Sequence, residues 1–236
     1  IHSIGICMIV GYGLTESLAT VSCDRKNMPF TIGSVGRPLD EVEVKIGPNS
    51  EILLKGPTIT PGYYHRDSIN AEAFDADGFF RTGDAGYMKH GELYLKERIK
   101  DLFKTSNGKY IAPQMVESMM LVDKYIDQVA VVADQRKFVS ALIVPEFRLV
   151  EKWADDHGVK YDSRESLCNN PEVKKMIMER LETLQQGLAS YEQVKRITLL
   201  PHHFSMESGE LTNTLKIKRG VIYKNYKDII DKMYED

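Results

Sequence analysis

The sequence predicts an α+β fold in two parts. The first hundred of its 236 residues are rich in Gly and Pro and carry period-2 apolar patterns. Helical periodicity is scarce before Pro113 and common after it. Between the two regions, "KERIKDLFKTSNGKYIAP" gathers charged and small polar residues, as a domain boundary does. We place the division at Lys100, giving a β-rich segment over residues 1–99 and a small α+β domain over 100–236, a short sheet flanked by helices.

In the first part, the short apolar run "SIGICMIV" predicts a buried strand. "EVEVKI" alternates and "EILLKG" follows the turn "GPNS", which predicts a hairpin. "GYMKHGELYLKER" predicts a second hairpin turning at His90-Gly91.

In the second part, Pro113 stands where a first helical residue belongs, and "QMVESMMLV" follows as a short helix. "QVAVVAD" and "KFVSALIVP" are strands separated by a polar turn, and "FRLVEKWADDHG" is amphipathic. Asn170-Pro171 opens a longer helix with Val173, Met176, Ile177, Arg180, Leu181, Leu184 and Leu188 near a 3.6 period. "KRITLLP" is a strand. A last helix runs from about Val221, with Ile222, Tyr226, Ile229, Ile230 and Met233 on one face.

Composition narrows the function classes. With 42% hydrophobic and 28% charged residues, a soluble globular protein is expected. A net charge of −3 argues against nucleic acid as a partner, which favours a clear basic excess. No apolar run approaches the ~20 residues of a spanning helix, and the start carries no signal-peptide pattern. Cys7, Cys23 and Cys168 are scattered and odd in number, which fits a reducing cytoplasm. Adjacent His202 and His203 cannot share one face of an element, so a zinc pair is not expected there. The chain opens without Met and reads as the middle of a protein, a fragment or a processed piece.

Six short motifs occur in one order: "GYGLTES", "GSVGRPL", "GPTITPGYY", "GFFRTGDAGY", "ERIKDLFKTSNGKYIAP" and "LTNTLKIKR". Singly each is weak: "GYG" lacks the third Gly of a dinucleotide fingerprint, and "SNGKY" lacks the first Gly of a phosphate loop. As an ordered set they are specific, and over nearly its whole length the chain resembles the C-terminal portion of the acyl-activating, adenylate-forming enzymes. That resemblance implies a β-rich remnant of the large N-terminal domain followed by a mobile C-terminal lid domain. It also implies a reaction: a carboxylate and ATP give an acyl-adenylate, and a thiol, usually of CoA, then takes the acyl group.

The resemblance assigns roles to residues. Tyr12 would stack on adenine, with Gly13 letting the backbone come close. Thr15 would bond the α-phosphate and Glu16 would hold the Mg2+ that offsets phosphate charge. Asp84 in "RTGD" would accept both ribose hydroxyls, and Arg98 in "ERIKD" would approach the same ribose. Lys100 matches the hinge about which the lid rotates between the two half-reactions. Gly108 would lie where the CoA pantetheine arm passes. Lys216 would stand between carboxylate and α-phosphate in the adenylation transition state. Lys218 remains its rival, two residues along and, on a strand, on the same face. Leu215 stands where the commoner pattern has Gly, as in long-chain members. "GPTITPGYY" is expected to shape the end of the nucleotide site and an interface between subdomains.

About fifty residues lie between "ALIVPEF" and "KRITLLP". This insertion, with "LASYEQVKRITLL" and "GELTNTLKIKR", resembles bacterial long-chain fatty acyl-CoA synthetases. The implied ligands are ATP or AMP, Mg2+, CoA and a long-chain fatty acid. The implied location is the cytoplasm, with peripheral contact at the inner membrane face. The family's Ser/Thr/Gly-rich phosphate loop has no counterpart here, so the chain alone is expected to be inactive and to self-associate through exposed apolar surface. The alternatives are a ligase for an aryl, short-chain or amino acid, or a non-catalytic adenylate-binding module.

Overall fold

The computed structural model describes residues 4–5, 8–25 and 31–235. The chain divides into two compact units, Ile1–Asp101 and Leu102–Asp236.

Unit 1 is β-rich. Strands β1 (Gly11–Tyr12), β2 (Ser22–Cys23) and β3 (Arg37–Pro38) pair antiparallel in that order. Strands β4 (Glu43–Ile46), β5 (Glu51–Lys55), β6 (Phe80–Lys89) and β7 (Glu92–Arg98) form an antiparallel meander, with helix α1 (Asp67–Ala73) between β5 and β6. Both expected hairpins form. Lys89 faces Glu92 across the β6–β7 turn, where His90 (φ 52°) and Gly91 (φ 77°) both take the left-handed conformation that matches strand twist. Ile52, Leu54 and Leu93 are wholly buried and pack with Tyr12, Val21 and Val42.

The strand expected over "SIGICMIV" does not form where it is described. Residues 8–10 lie outside any strand, and Met8 and Ile9 are exposed. An apolar run needs a covering surface to become a buried strand, and Met8 and Ile9 keep 40% and 53% exposure. Pairing begins at Val10, whose N–H reaches Asp24 Oδ2 (3.2 Å) and whose carbonyl accepts from Asp24 N–H (2.8 Å). Ser3, Ile6 and Cys7 of that run lie outside the described residues.

Unit 2 is α+β. A two-stranded ribbon, β8 (Phe103–Lys104) with β9 (Tyr110–Ile111), leads into α2 (Pro113–Met120). The main sheet has the order β10 (Ile126–Val132), β11 (Val139–Pro145), β12 (Val194–Leu199). β10 and β11 are antiparallel; β11 and β12 are parallel, joined through α3 (Phe147–Asp156), α4 (Arg164–Asn169) and α5 (Pro171–Leu184). All seven residues of central β11 are buried, which is why its sequence is a near-continuous apolar run. Asn170 Oδ1 caps α5 by accepting from Glu172 and Val173 N–H, with Pro171 at the first helical position. Val173, Ile177 and Leu181 bury its inner face; the helix ends at Leu184, so Leu188 lies beyond it.

The single last helix is corrected to two, α6 (Arg219–Asn225) and α7 (Lys227–Lys232). Tyr226, at φ −107° and ψ 20°, breaks the helical path, and its ring packs edge-on against Phe204. The break re-aims the chain, so that Ile222, Ile230 and Met233 are buried while Ile229 is exposed. His202 and His203 lie nearest separate carboxylates, Glu165 (3.5 Å) and Asp127 (3.2 Å), and among the described residues no metal-binding cluster occurs.

Candidate nucleotide site

Three motifs meet in unit 1. The Tyr12 hydroxyl donates to Asp84 Oδ2 (2.7 Å), and Arg98 Nε reaches Asp84 Oδ1 (3.0 Å). β6 and β7 bring this about, since Asp84 and Arg98 are register partners at a bulge. Thr82 stiffens the turn: its Oγ1 accepts from Asp84 N–H (3.0 Å) and donates to Ile52 O (2.7 Å). Tyr12 is 8% exposed, so most of its ring lies in the core. Burial, and then the hydrogen bond to Asp84, pushes its phenol well above the ordinary value. The Asp84 side chain keeps 15% exposure. A carboxylate has about four acceptor positions, so two remain for hydroxyl donors.

Thr15 and Glu16 lie on a 3-10 turn just after β1. Leu18 (φ 51°) and Ala19 (φ 74°), which follow, both adopt the left-handed conformation, a local strain of the kind that collects at functional sites. Gly13 is required by this return of the chain: a Cβ there would sit 1.9 Å from Ala19 O. Thr15 and Glu16 line a cavity of ≈ 380 Å3 with Thr58, Thr60 and Tyr63. Thr58 Oγ1 is buried without a hydrogen-bond partner among the described residues. Tyr63 was not anticipated. Its hydroxyl donates to Glu16 Oε1 (2.8 Å), and this bond, with burial second, pushes the phenol above its ordinary value. "GPTITPGYY" carried the signal in its tyrosines, among residues that read as structural.

Unit 2 holds Lys216 and Gly108. The strand expected to carry Lys216 and Lys218 on one face is corrected to a turn. Thr212 N–H bonds Lys216 O (2.8 Å), Lys216 N–H bonds Thr212 Oγ1 (3.0 Å), and Leu215 has φ 60°. Side-chain and main-chain bonds to Thr212 fold the segment back, which alternation alone does not reveal. Both lysines are exposed, but Lys216 ends the turn whereas Lys218 leads into α6 and donates its N–H to Glu210 O (2.7 Å). Arg219, one residue on, grips buried Glu117 with both guanidinium nitrogens. Gly108 (φ 74°) closes a turn in which its N–H bonds Thr105 O (2.9 Å), and the space beside its Cα is open. Lys100 is exposed in the 3-10 turn Ile99–Asp101, so it falls at the end of unit 1.

Residues 100–236 match the family described as AMP-binding enzyme C-terminal domain. The chain belongs to the AMP-binding enzymes. It is 32% identical over 246 residues to long chain acyl-CoA synthetase 7 of Arabidopsis thaliana, covering 96% of this chain and 35% of that protein. It is 34% identical over 247 residues to human long-chain-fatty-acid–CoA ligase 1, covering 98% and 35%. The chain thus spans about a third of the length of these curated relatives. Among solved structures, the A domain of carboxylic acid reductase from Segniliparus rugosus, in complex with AMP and a carboxylic acid, matches with a TM-score of 0.67 and 26% identity. That match covers 98% of this chain and 36% of the other.

The residues described in unit 1 fit the ligands that the resemblance implies. Asp84 has spare acceptor positions for hydroxyls, and Thr58, whose Oγ1 is buried without a hydrogen-bond partner among the described residues, is one of the residues lining the cavity with Thr15 and Glu16. Glu16 is a single carboxylate, which suits Mg2+, an ion held by one or two carboxylates together with substrate phosphates. No helix among the described residues is long and apolar enough to cross a membrane.

Proposed function

We propose that this chain is the C-terminal portion of a long-chain fatty acid–CoA ligase, which forms an acyl-adenylate from ATP and then a thioester with CoA. The observation that carries the reading is the Tyr12–Asp84–Arg98 cluster: Tyr12 joins the two partners of the β6–β7 hairpin, 72 positions from Asp84, around one carboxylate. The AMP-binding family match over residues 100–236 and the 32–34% identity to long-chain ligases along nearly the whole chain support the assignment.

In this reading Asp84 accepts the ribose hydroxyls, with Arg98 and Tyr12 fixing its orientation, and the small exposed part of the Tyr12 ring stacks on the adenine beside Gly13. Thr15 bonds the α-phosphate. Glu16, held by Tyr63, places Mg2+, which when bound offsets phosphate charge. Lys216, at the end of its Thr212-braced turn, sets its ammonium against the charge that builds on the carboxylate and α-phosphate oxygens. Lys218 is the weaker choice because its backbone is committed to Glu210 and α6. Lys100 serves as the hinge, residues 1–99 as the end of the adenylation domain and 100–236 as its mobile lid, and Gly108 lets the pantetheine arm pass. Cytoplasmic location, peripheral membrane contact and self-association through exposed Ile9, Leu18 and Ile32 belong to the same proposal.

The test uses the full-length protein. Lys216→Ala should abolish adenylate formation while sparing thioester formation from supplied acyl-adenylate; equal loss of both half-reactions overturns the assignment. Greater turnover with aryl or short-chain acids than with oleate would overturn the substrate class. The 236-residue chain given ATP, Mg2+, oleate and CoA should not turn over.

A further inference from the structure

Unit 2 carries a groove of ≈ 620 Å3 that none of the proposed ligase residues lines. Its walls are α5, β12 with the residues just after it, and α7. β12 is an edge strand of the three-stranded sheet. Gln185 covers only its first residue, with Nε2 on Val194 O (3.2 Å) and Oε1 on Val194 N–H (2.9 Å).

The groove combines cationic and apolar side chains. Lys174 and Lys175 come from α5, Lys195 and Arg196 from β12, and Lys232 from α7, while no Asp or Glu lines it. Met178, Ile197 and Ile229 supply apolar lining. Five positive side chains therefore gather in one groove of a chain whose net charge is −3. Arg196 is structural, donating from Nη1 to Met233 O (2.8 Å) and Glu235 O (2.6 Å), so that it ties the end of α7 to β12. Lys175 reaches Glu179 at 3.8 Å. Lys174 and Lys232 have no carboxylate within ion-pair distance among the described residues, so their charge is available to a ligand.

We infer that this groove binds a single-chain amphiphile with a phosphate head, the head between Lys174 and Lys232 and the chain along Ile197 and Ile229. The size lies in the ~300–1,000 Å3 range of small-molecule sites. A free anion would leave the apolar surface unused, and a neutral chain would leave the cations unused. The inference does not depend on the ligase reading.

The test is titration of the 236-residue chain by calorimetry, with isoleucine methyl NMR as the site readout. The ligands are inorganic phosphate, octyl phosphate and neutral octyl glucoside, each below its micelle concentration. Octyl phosphate should saturate one site and move the Ile197 and Ile229 signals, and affinity should rise by up to about fourfold per added methylene from hexyl to decyl phosphate. Octyl glucoside should bind at least tenfold more weakly. The double variant Lys174→Glu, Lys232→Glu should lose at least tenfold in affinity at unchanged Tm. Lys174→Gln, which is gentler on the fold, should lose less but in the same direction. Equal binding of phosphate and octyl phosphate, equal binding of octyl glucoside, or indifference to charge reversal overturns the inference. So does binding to anionic phospholipid vesicles without binding of octyl phosphate.

Discussion

Arg219 holds Glu117 in a two-pronged grip, Nη1 on Oε1 and Nη2 on Oε2 (2.8 Å), with side-chain exposures of only 19% and 8%. Glu117 Oε1 also accepts the Val131 N–H (2.9 Å), so one carboxylate links α2, β10 and the start of α6. Removing one partner leaves a buried charge uncompensated. Arg219→Met should therefore cost about 3–5 kcal/mol in urea unfolding. Arg219→Lys should recover part of that, because a point charge cannot reproduce the fork. Since α6 begins just after Lys216, the same variants in the full-length protein should lower adenylation more than thioester formation.

The two glycines singled out for the site should answer differently to Ala. Gly13→Ala would drive a Cβ to 1.9 Å from the Ala19 carbonyl carbon's oxygen, a clash with backbone that only refolding of the turn relieves. Gly108→Ala meets open space and only the strain of φ 74°, about 1 kcal/mol. Thermal melts of both variants should show a large drop for the first and a small one for the second. With the fold preserved, any large loss in Gly108→Ala should fall on the CoA step.

Tyr63→Phe deletes the donor on Glu16 and leaves the carboxylate in place. In the full-length protein the Mg2+ concentration for half-maximal adenylation should change several-fold, with a smaller effect on the KM for fatty acid. Glu16→Ala should be the more severe variant. No change in Mg2+ dependence for either would overturn the proposal that Glu16 holds Mg2+.

Cys168 is 2% exposed, and burial pushes its thiol from 9.0 up to about 11. The folded state thus holds this proton more tightly than the unfolded chain. The resulting stabilisation is whole below pH 9 and is lost as pH rises toward about 11. Alkylation followed by peptide mapping should find Cys168 protected at pH 8 relative to Cys23, with protection failing together with Tm as the solution is made alkaline.

Local chemistry was the legible part of this chain. The β6–β7 hairpin follows from His90-Gly91, and the α5 start follows from Asn170-Pro171, because each needs only adjacent residues. What failed needed distant partners or a competing local bond. "LKIK" alternates like a strand, but Thr212 bonds turn it. The face drawn from Ile222 to Met233 assumed a straight axis that Tyr226 breaks. The apolar run before Val10 gave no sign of whether a surface would cover it.

The candidate site shows the same limit. Tyr12 and Asp84 are 72 positions apart, so neither composition nor periodicity links them; the order of the motifs did, through resemblance. Tyr63 escaped because its contribution is a hydroxyl aimed at Glu16, 47 positions away, which no spacing rule contains.

The basic side chains along β12 have a consequence for colloidal behaviour. An edge strand is a template on which a second copy can add its own strand, and like charges facing each other oppose that addition. Lys195 and Arg196 are exposed on this edge. Variants that neutralise them, or a bound anion that screens them, would let two molecules approach edge to edge, so the occupancy of the groove would also govern how readily the protein precipitates.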